Sequence, residues 1–298
     1  MSNSETLSKP KLSVVIASQN ALKSVSDCLN TVKEQLNGES VEIVVVDNST
    51  DGTSDIIKRE FPQIKHIQAE KEKLIPELWG IGVNNSAGDF VALTTSHFVP
   101  SKNWVEEILK AHTGPHAGVG GAIENDEKAG LVSWAVYFCR YSPYMLPFIE
   151  MKVNDFAADN ASYKRGDLEK VKHAMEDGFW ESFIHSEMLK KGMSLLKTPN
   201  IIVYHQQSFT FAGFIIQRFW HGREFGSKRA LSLGVPKRIV FILLSPLIPF
   251  LYLFRITRRV LDKKKHISKY ILSLPILILF LVSWATGEFS GYLRRARG

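Results

Sequence analysis

Short apolar runs that end in clusters of small polar residues set the pattern of the first hundred positions. Residues 12–17 read LSVVIA before Ser18-Gln19-Asn20, and residues 41–46 read VEIVVV before Asp47-Asn48-Ser49-Thr50-Asp51-Gly52-Thr53. Residues 90–93 read FVAL before Thr94, Thr95, Ser96 and His97. A short apolar run bounded by turn residues is the mark of a strand buried on both faces. Between these runs, residues 22–36 place Val25, Cys28, Leu29, Val32 and Leu36 at the spacing of one helical face, ending at Asn37-Gly38. Further helices are predicted over 54–61 and 74–87, with a short strand at 64–68. Strands alternating with helices through short connections predict right-handed crossovers and a parallel sheet. Ligands bind such sheets at the carboxyl ends of the strands, where these polar clusters fall. The segment 88–104 is thus the candidate active-site segment, a buried strand broken at Thr95-Ser96-His97 and restarting as a helix at Pro100. Gly80 and Gly82 inside the predicted third helix imply close packing or a ligand there.

Farther on, a helix is expected over 103–111 and a strand over 118–123 (GVGGAI). The aromatic stretch 131–147 reads as core in preference to a cleft wall. Residues 178–192 carry Phe179, Phe183, Ile184, Met188 and Leu189 as a helical stripe, with Glu181 in the first turn. Two short strands are expected within 193–205. From residue 209 aromatic and basic residues interleave (Phe211, Phe214, Phe219 and Trp220 with Arg218, Arg223, Lys228 and Arg229), a composition suited to a membrane interface. The apolar runs 239–254 and 271–285 contain prolines, and each falls short of the about 20 residues that span a bilayer.

The chain has 298 residues, 45% of them hydrophobic, enough for one large core or one domain with an appendage. Its net charge of +7 is placed by the last third, where basic residues flank the two apolar runs. That placement favours anionic lipid over nucleic acid. Residues 255–269 carry seven Lys and Arg against Asp262 alone. The positive-inside rule opposes putting that loop outside, so kinked, re-entrant or interfacial helices are expected, with a two-span hairpin as the rival. Cys28 and Cys139 have no metal-binding spacing and fit a reduced, cytoplasmic compartment. The polar residues 1–10 are expected to be disordered, without a cleavable signal.

Three motifs, VVIASQN, VVVDNSTDGT and GDFVAL followed by a polar cluster and Pro-x-x-x-Trp, stand in the order and spacing of the nucleotide-sugar-binding half of family 2 glycosyltransferases, which the chain resembles. The resemblance covers 11–112 well and continues more loosely to about residue 205. It implies a GT-A fold, a mostly parallel sheet flanked by helices, and transfer with inversion. It places Ser18, Asn20 and Asn48 beside the nucleotide, with Asp47 reading base and ribose. Thr95 and Ser96 would lie at the donor, and Asn160, Lys164 and Arg165 would approach acceptor or diphosphate. A plain turn closed by its own side-chain bonds is the alternative for Asp47-Asn48-Ser49.

The departures from the family pattern are informative. Thr95-Ser96-His97 replaces the usual Asp-x-Asp, and His97 takes the position of the metal-binding second aspartate. An imidazole is a poor magnesium ligand but accepts manganese or another transition metal. The expectation is a weak or metal-independent site, or one preferring manganese to magnesium. The alternatives are a His97 that binds the phosphates directly or a satisfied loop histidine. His205 resembles an additional metal or diphosphate ligand and could form a two-histidine site with His97. His221 and Arg223 could hold the leaving diphosphate. The family's acidic pair maps to Trp180-Glu181, so the resemblance makes Glu181 the general base that deprotonates the acceptor hydroxyl. Its plainer role is a helix-dipole acid.

The expectation is therefore an N-terminal segment 1–10, a catalytic domain over 11–208, an amphipathic interfacial helix over 209–236 and an apolar helix pair over 237–298. The enzyme would transfer a sugar from a nucleotide-sugar donor to a lipid-linked or envelope-glycan acceptor at the cytoplasmic face of the inner membrane. Membrane lipids are expected partners and nucleic acid is not. A non-catalytic membrane protein retaining the fold is the alternative.

Overall fold

The computed structural model describes residues 9–36, 40–206 and 209–294. The expected helix end at Asn37-Gly38, the start of the N-terminal segment and the boundary at 208 lie outside the described residues.

In chain order the elements are β1 (Leu12–Ser18), α1 (Val25–Lys33), β2 (Val41–Asp47), α2 (Thr53–Glu60), β3 (Lys65–Gln68), α3 (Ile75–Asn84), β4 (Phe90–Thr95), β5 (Phe98–Pro100), α4 (Trp104–Ala111), β6 (Gly118–Asn125), α5 (Leu131–Tyr141), β7 (Met151–Val153), β8 (Ala161–Lys164), α6 (Arg165–Glu169), α7 (Glu181–Lys190) and β9 (Leu195–His205). They are followed by α8 (Phe211–Leu231), α9 (Val235–Leu244), α10 (Ile248–Lys263) and α11 (Ile267–Leu293). The chain forms two compact units, one of residues 1–124 with 144–207 and one of 125–143 with 208–298. Residues 125–143, expected inside the catalytic domain, therefore belong with the C-terminal helices. The aromatic face of α5 explains it, since Trp134 and Phe138 pack on His266 and Tyr270.

The first unit is built on one mixed sheet in the order β3-β2-β1-β4-β8-β6-β9-β5, with β7 beside β9. β3, β2, β1 and β4 are parallel, as the strand-helix alternation predicts. β8 runs antiparallel to both β4 and β6. Register aligns Ser18 with Asp47 and Ala17 with Thr95, so three polar loops leave the sheet side by side. Below them Val15, Val44, Val46, Leu93 and Trp79 are buried in one apolar core. Close packing accounts for the two helix glycines. A β-carbon at Gly82 would overlap Val15, and one at Gly80 would stand 2.9 Å from Gly178 Cα.

Two local expectations are corrected. Phe98–Pro100 is the strand β5, and the helix starts only at Trp104, because β5 finds an antiparallel partner in β9. Residues 195–205 form one strand, whose ends pair with β7 and with β5 and so hold it extended through Pro199-Asn200.

In the second unit, α9, a 3-10 turn and α10 make a helical run Val235–Lys263 of 29 residues, and α11 has 27. Both are long and apolar enough to cross a membrane by length and composition. The prolines do not break the first run because Pro246 and Pro249 sit in the opening turns of their segments, where an N–H has no helical partner. α8, expected as an amphipathic interfacial helix, packs on α11. Gly222 and Gly226 face Gly287 and Gly291, and a β-carbon at any of the four would overlap a backbone oxygen of the other helix. The helices run parallel, since Phe214 meets Phe280 while Arg229 donates to the Tyr292 hydroxyl at 3.4 Å. Buried Glu288 accepts from Trp284 Nε1 at 3.0 Å and from Tyr292 at 2.6 Å, with Arg229 at 3.6 Å.

Candidate active site

The loops at the carboxyl ends of β1 and β2 are laced together by side chains that accept from backbone. Asn20, at φ 52°, donates its N–H to Ser49 Oγ at 2.8 Å and accepts from Thr50 N at 2.9 Å. Asp51 accepts from Leu22 N at 3.2 Å and from Thr53 Oγ1 at 2.5 Å. Asp47 is fully buried and accepts from Ser49 Oγ at 2.5 Å and from Ser54, with His66 Nε2 at 3.8 Å. Burial works against its ionisation, but the neighbouring His66, hydrogen bonds from Ser49 and Ser54, and the nearby Ser18 hydroxyl prevail and hold its pKa down to about 2. Asp47 is therefore a fixed carboxylate at a strand end. His66 carries no sequence signal for this role. Only the pairing of β3 with β2 brings it there.

Asn48 is turned away from this cluster. Its Nδ2 donates to the carbonyls of Glu70, Lys71 and Lys73 at 3.3, 3.2 and 2.8 Å, which shapes the 70–73 loop. Its Oδ1 is buried with no hydrogen-bond partner among the described residues.

At the end of β4, Ser96 N donates to Ala17 O at 3.1 Å and Trp79 Nε1 to Thr94 O at 2.8 Å. The Thr94 and Ser96 hydroxyls are buried with no hydrogen-bond partner among the described residues. Such groups are unused bonding capacity at the strand end. His97 Nε2 lies 2.9 Å from Gln19 O, and Nδ1 lies 3.4 Å from Ser24 Oγ. A carbonyl only accepts, so Nε2 carries the hydrogen and the lone pair on Nδ1 faces Ser24.

His97 and His205, the expected histidine pair, both adjoin the β5–β9 pairing, where Gln206 N donates to His97 O at 2.8 Å. In the β5–β9 register His205 opposes Phe98, and their rings stand 5.2 Å apart on one face. Among the described residues no three His, Cys, Asp or Glu side chains gather as a metal cage. With carboxylates missing from the end of β4 and His97 tied to Gln19, the residues present do not fit a divalent ion.

The direction of β8 places Asn160 and Arg165 at opposite ends of β4. Asn160 is buried, donating to Ala122 O and Ile201 O at 2.8 and 3.0 Å and accepting from Trp104 Nε1 at 2.8 Å, which occupies its amide within the core. Arg165 follows Lys164, which pairs with Phe90, so it sits level with Asp89 at the amino end of β4, about 20 Å along the strand from Thr95. There it binds Gly88 O at 2.5 Å and Ser86 Oγ at 2.8 Å.

Glu181 opens α7 and is partly buried. The chain before it is anchored to the start of α3, with Phe179 N donating to Pro76 O at 2.6 Å and Gly178, at φ 107°, lying against Glu77. α3 runs back from the carboxyl ends of the parallel strands, so this anchor puts Glu181 toward the end of the sheet that bears the polar loops. Buried His185, one turn on, bonds to Asp155 and to Tyr163. The only sequence signal for it is its spacing of four from Glu181.

A family model described as Glycosyl transferase family 2 matches residues 13–172. A mannosyltransferase, PcManGT from Pyrobaculum calidifontis in complex with GDP-Man and Mn2+, is similar in structure at a TM-score of 0.57 and 16% identity, over 94% of this chain and 87% of that one. S. aureus TarS 1-349 in complex with UDP-GlcNAc gives 0.49 at 12% identity, over 95% and 89%. A comparison with curated proteins by sequence finds no match. The sheet with its parallel half and flanking helices is the GT-A arrangement. With more than half of its residues matched by the family model, the chain belongs to glycosyl transferase family 2 and is a glycosyltransferase.

Proposed function

We propose that this enzyme transfers a sugar, with inversion, from a nucleotide-sugar donor to a hydroxyl of a lipid-linked or envelope-glycan acceptor. Asp47 carries the reading, as a buried, permanently ionised carboxylate aligned with Ser18 at the adjoining ends of β1 and β2. A fixed acceptor group there suits recognition of base and ribose hydroxyls. Asn20 lines the same loops, and the unpartnered hydroxyls of Thr94 and Ser96 offer bonds to a donor at the end of β4. Glu181 acts as the general base. Its carboxylate takes the acceptor proton as the anomeric bond breaks, at a helix N-terminus that favours negative charge. The donor set of Thr95, Ser96 and His97 favours chemistry that does not depend on a divalent ion, manganese included.

The second unit supplies membrane attachment at the cytoplasmic face. Val235, Leu243, Phe250 and Phe254 are 65–72% exposed along one helical run, and basic residues stand at both of its ends. Confinement to the bilayer surface suits an acceptor carried on a lipid.

The test is release of nucleoside diphosphate from a panel of nucleotide sugars by detergent-solubilised enzyme, with membrane lipid as acceptor. Lipid-dependent release from one donor supports the reading and names the sugar. Release that ignores lipid refutes the acceptor class, and no release despite nucleotide binding refutes the transfer assignment.

A further inference from the structure

Glu181 and His185 are four residues apart on α7 and share one face. His185 is fully buried, and its nitrogens bond in two directions. Nδ1 lies 2.5 Å from Asp155 Oδ1, and Nε2 lies 2.8 Å from the Tyr163 hydroxyl on β8. Asp155 also reaches α7 a second time, accepting from Ser182 Oγ at 2.9 Å. Phe156 and Phe179 wall the group, with ring centroids 4.4 Å from His185 and 5.1 Å from Tyr163. Because a carboxylate only accepts, Nδ1 carries the hydrogen, and in that tautomer Nε2 accepts the Tyr163 O–H. Tyr163 keeps that hydrogen, since burial, reinforced by the charges of Glu181 and Asp155 and by Tyr144, pushes the phenol well above its ordinary range.

We propose that Asp155, His185 and Tyr163 are positioning residues of the transfer reaction, a hydrogen-bonded brace that holds the first turn of α7 against β8 and keeps Glu181 a competent base. The inference rests on Glu181 as the base. Asp155 acts in two ways. Its negative charge increases the affinity of Glu181 for a proton. It also selects the tautomer that keeps the Tyr163 O–H on His185 and away from carboxylates. An amide at position 155 would remove the charge and permit the other tautomer, in which Nε2–H donates to Tyr163 and frees its hydroxyl hydrogen. Both changes weaken the base. The groups facing His185 are Asp155 and Phe156 from the loop before β8, Tyr163 from β8, and Glu181 and Ser182 from α7.

The experiment uses the full chain in detergent and compares Asp155→Asn, Tyr163→Phe, Ser182→Ala and Glu181→Gln for nucleotide affinity, thermal midpoint and kcat against pH. Asp155→Asn and Tyr163→Phe should keep nucleotide affinity and lower kcat about tenfold, the scale of a misplaced catalytic group. Asp155→Asn should also move the acid limb of the kcat profile to lower pH. Exposed Ser182→Ala removes one anchor without touching the core, so it serves if the buried variants fail to fold. Its kcat should fall about threefold at an unchanged midpoint, the scale of one lost hydrogen bond. An unmoved kcat in folded variants, or a kcat that falls only with the thermal midpoint while the acid limb stays in place, overturns the brace. An active Glu181→Gln removes the base reading and this one together, whereas an inactive Glu181→Gln beside normal brace variants removes this one alone.

Discussion

His97 Nε2 donates to the carbonyl of Gln19 at 2.9 Å and so ties the end of β4 to the loop after β1. The bond engages the ring where the family carries a metal-binding acid. His97→Ala should release the Gln19-Asn20 turn and raise the KM for donor about tenfold, the value of one buried hydrogen bond. Turnover of the wild-type enzyme should be the same in chelator, magnesium and manganese. Steady-state kinetics in the three buffers checks both, and loss of activity in chelator would sink the metal-independent reading.

Glu181→Gln keeps the shape of the side chain and removes its basicity. The kcat should fall by about 10² to 10⁴, the usual contribution of a general base, with nucleotide affinity unchanged. Calorimetric titration with nucleoside diphosphate, run beside the transfer assay, separates the two quantities.

The carboxyl of Asp47 is held below its unfolded value, to about 2, so its contribution to stability is present above pH about 4 and is lost as pH falls through the folded value. The shift is worth on the order of 2 kcal/mol. Asp47→Asn should therefore be less stable than wild type near neutrality, and the gap should close toward pH about 2. Denaturant unfolding across that range checks it.

Asn160→Ala would leave Trp104 Nε1 and the carbonyls of Ala122 and Ile201 buried without partners, at a cost of about 3 kcal/mol or more. Arg165→Ala should shift the thermal midpoint while leaving the donor KM unchanged, because its bonds are to Gly88 and Ser86 at the far end of β4. Melting curves and kinetics on the two variants test these placements, and a raised donor KM in a folded Arg165→Ala would contradict them.

How far the sequence could be read follows from what a one-dimensional pattern encodes. The runs at 12–17, 41–46 and 90–93 lie within β1, β2 and β4, because burial on both faces writes itself into composition. Asp47 stands at one of their polar ends, and its expected role comes from the family resemblance. Strand direction leaves no such trace. β8 is antiparallel, and that alone carries Arg165 to the wrong end of the sheet. The pairing of β5 with β9 sets His205 opposite Phe98, and it joins residues about a hundred positions apart. The aromatic face of α5 was legible as core, but its partners His266 and Tyr270 lie far along the chain, so pattern alone could not say whose core it was.

A side chain at Gly287 has no room, since even a β-carbon would overlap the carbonyl oxygen of Phe219. Gly287→Val should separate α8 from α11 and cost about 3 kcal/mol, the upper range for an overpacked core. Thermal unfolding in detergent should show the loss, and Phe289→Ala, at a position 37% exposed, serves as the mild control.

The parallel course of α8 and α11 also dictates an order of assembly. As the chain is synthesised it runs out along α8, back along α9 and α10, and out again along α11, so α8 emerges well before the helix that covers it. Until α11 is complete, Phe214, Arg218 and the Gly222–Gly226 face have no partner to close on. The nascent chain must shelter that face in lipid or on a chaperone. Truncation within α11 would consequently leave that face of α8 uncovered as well.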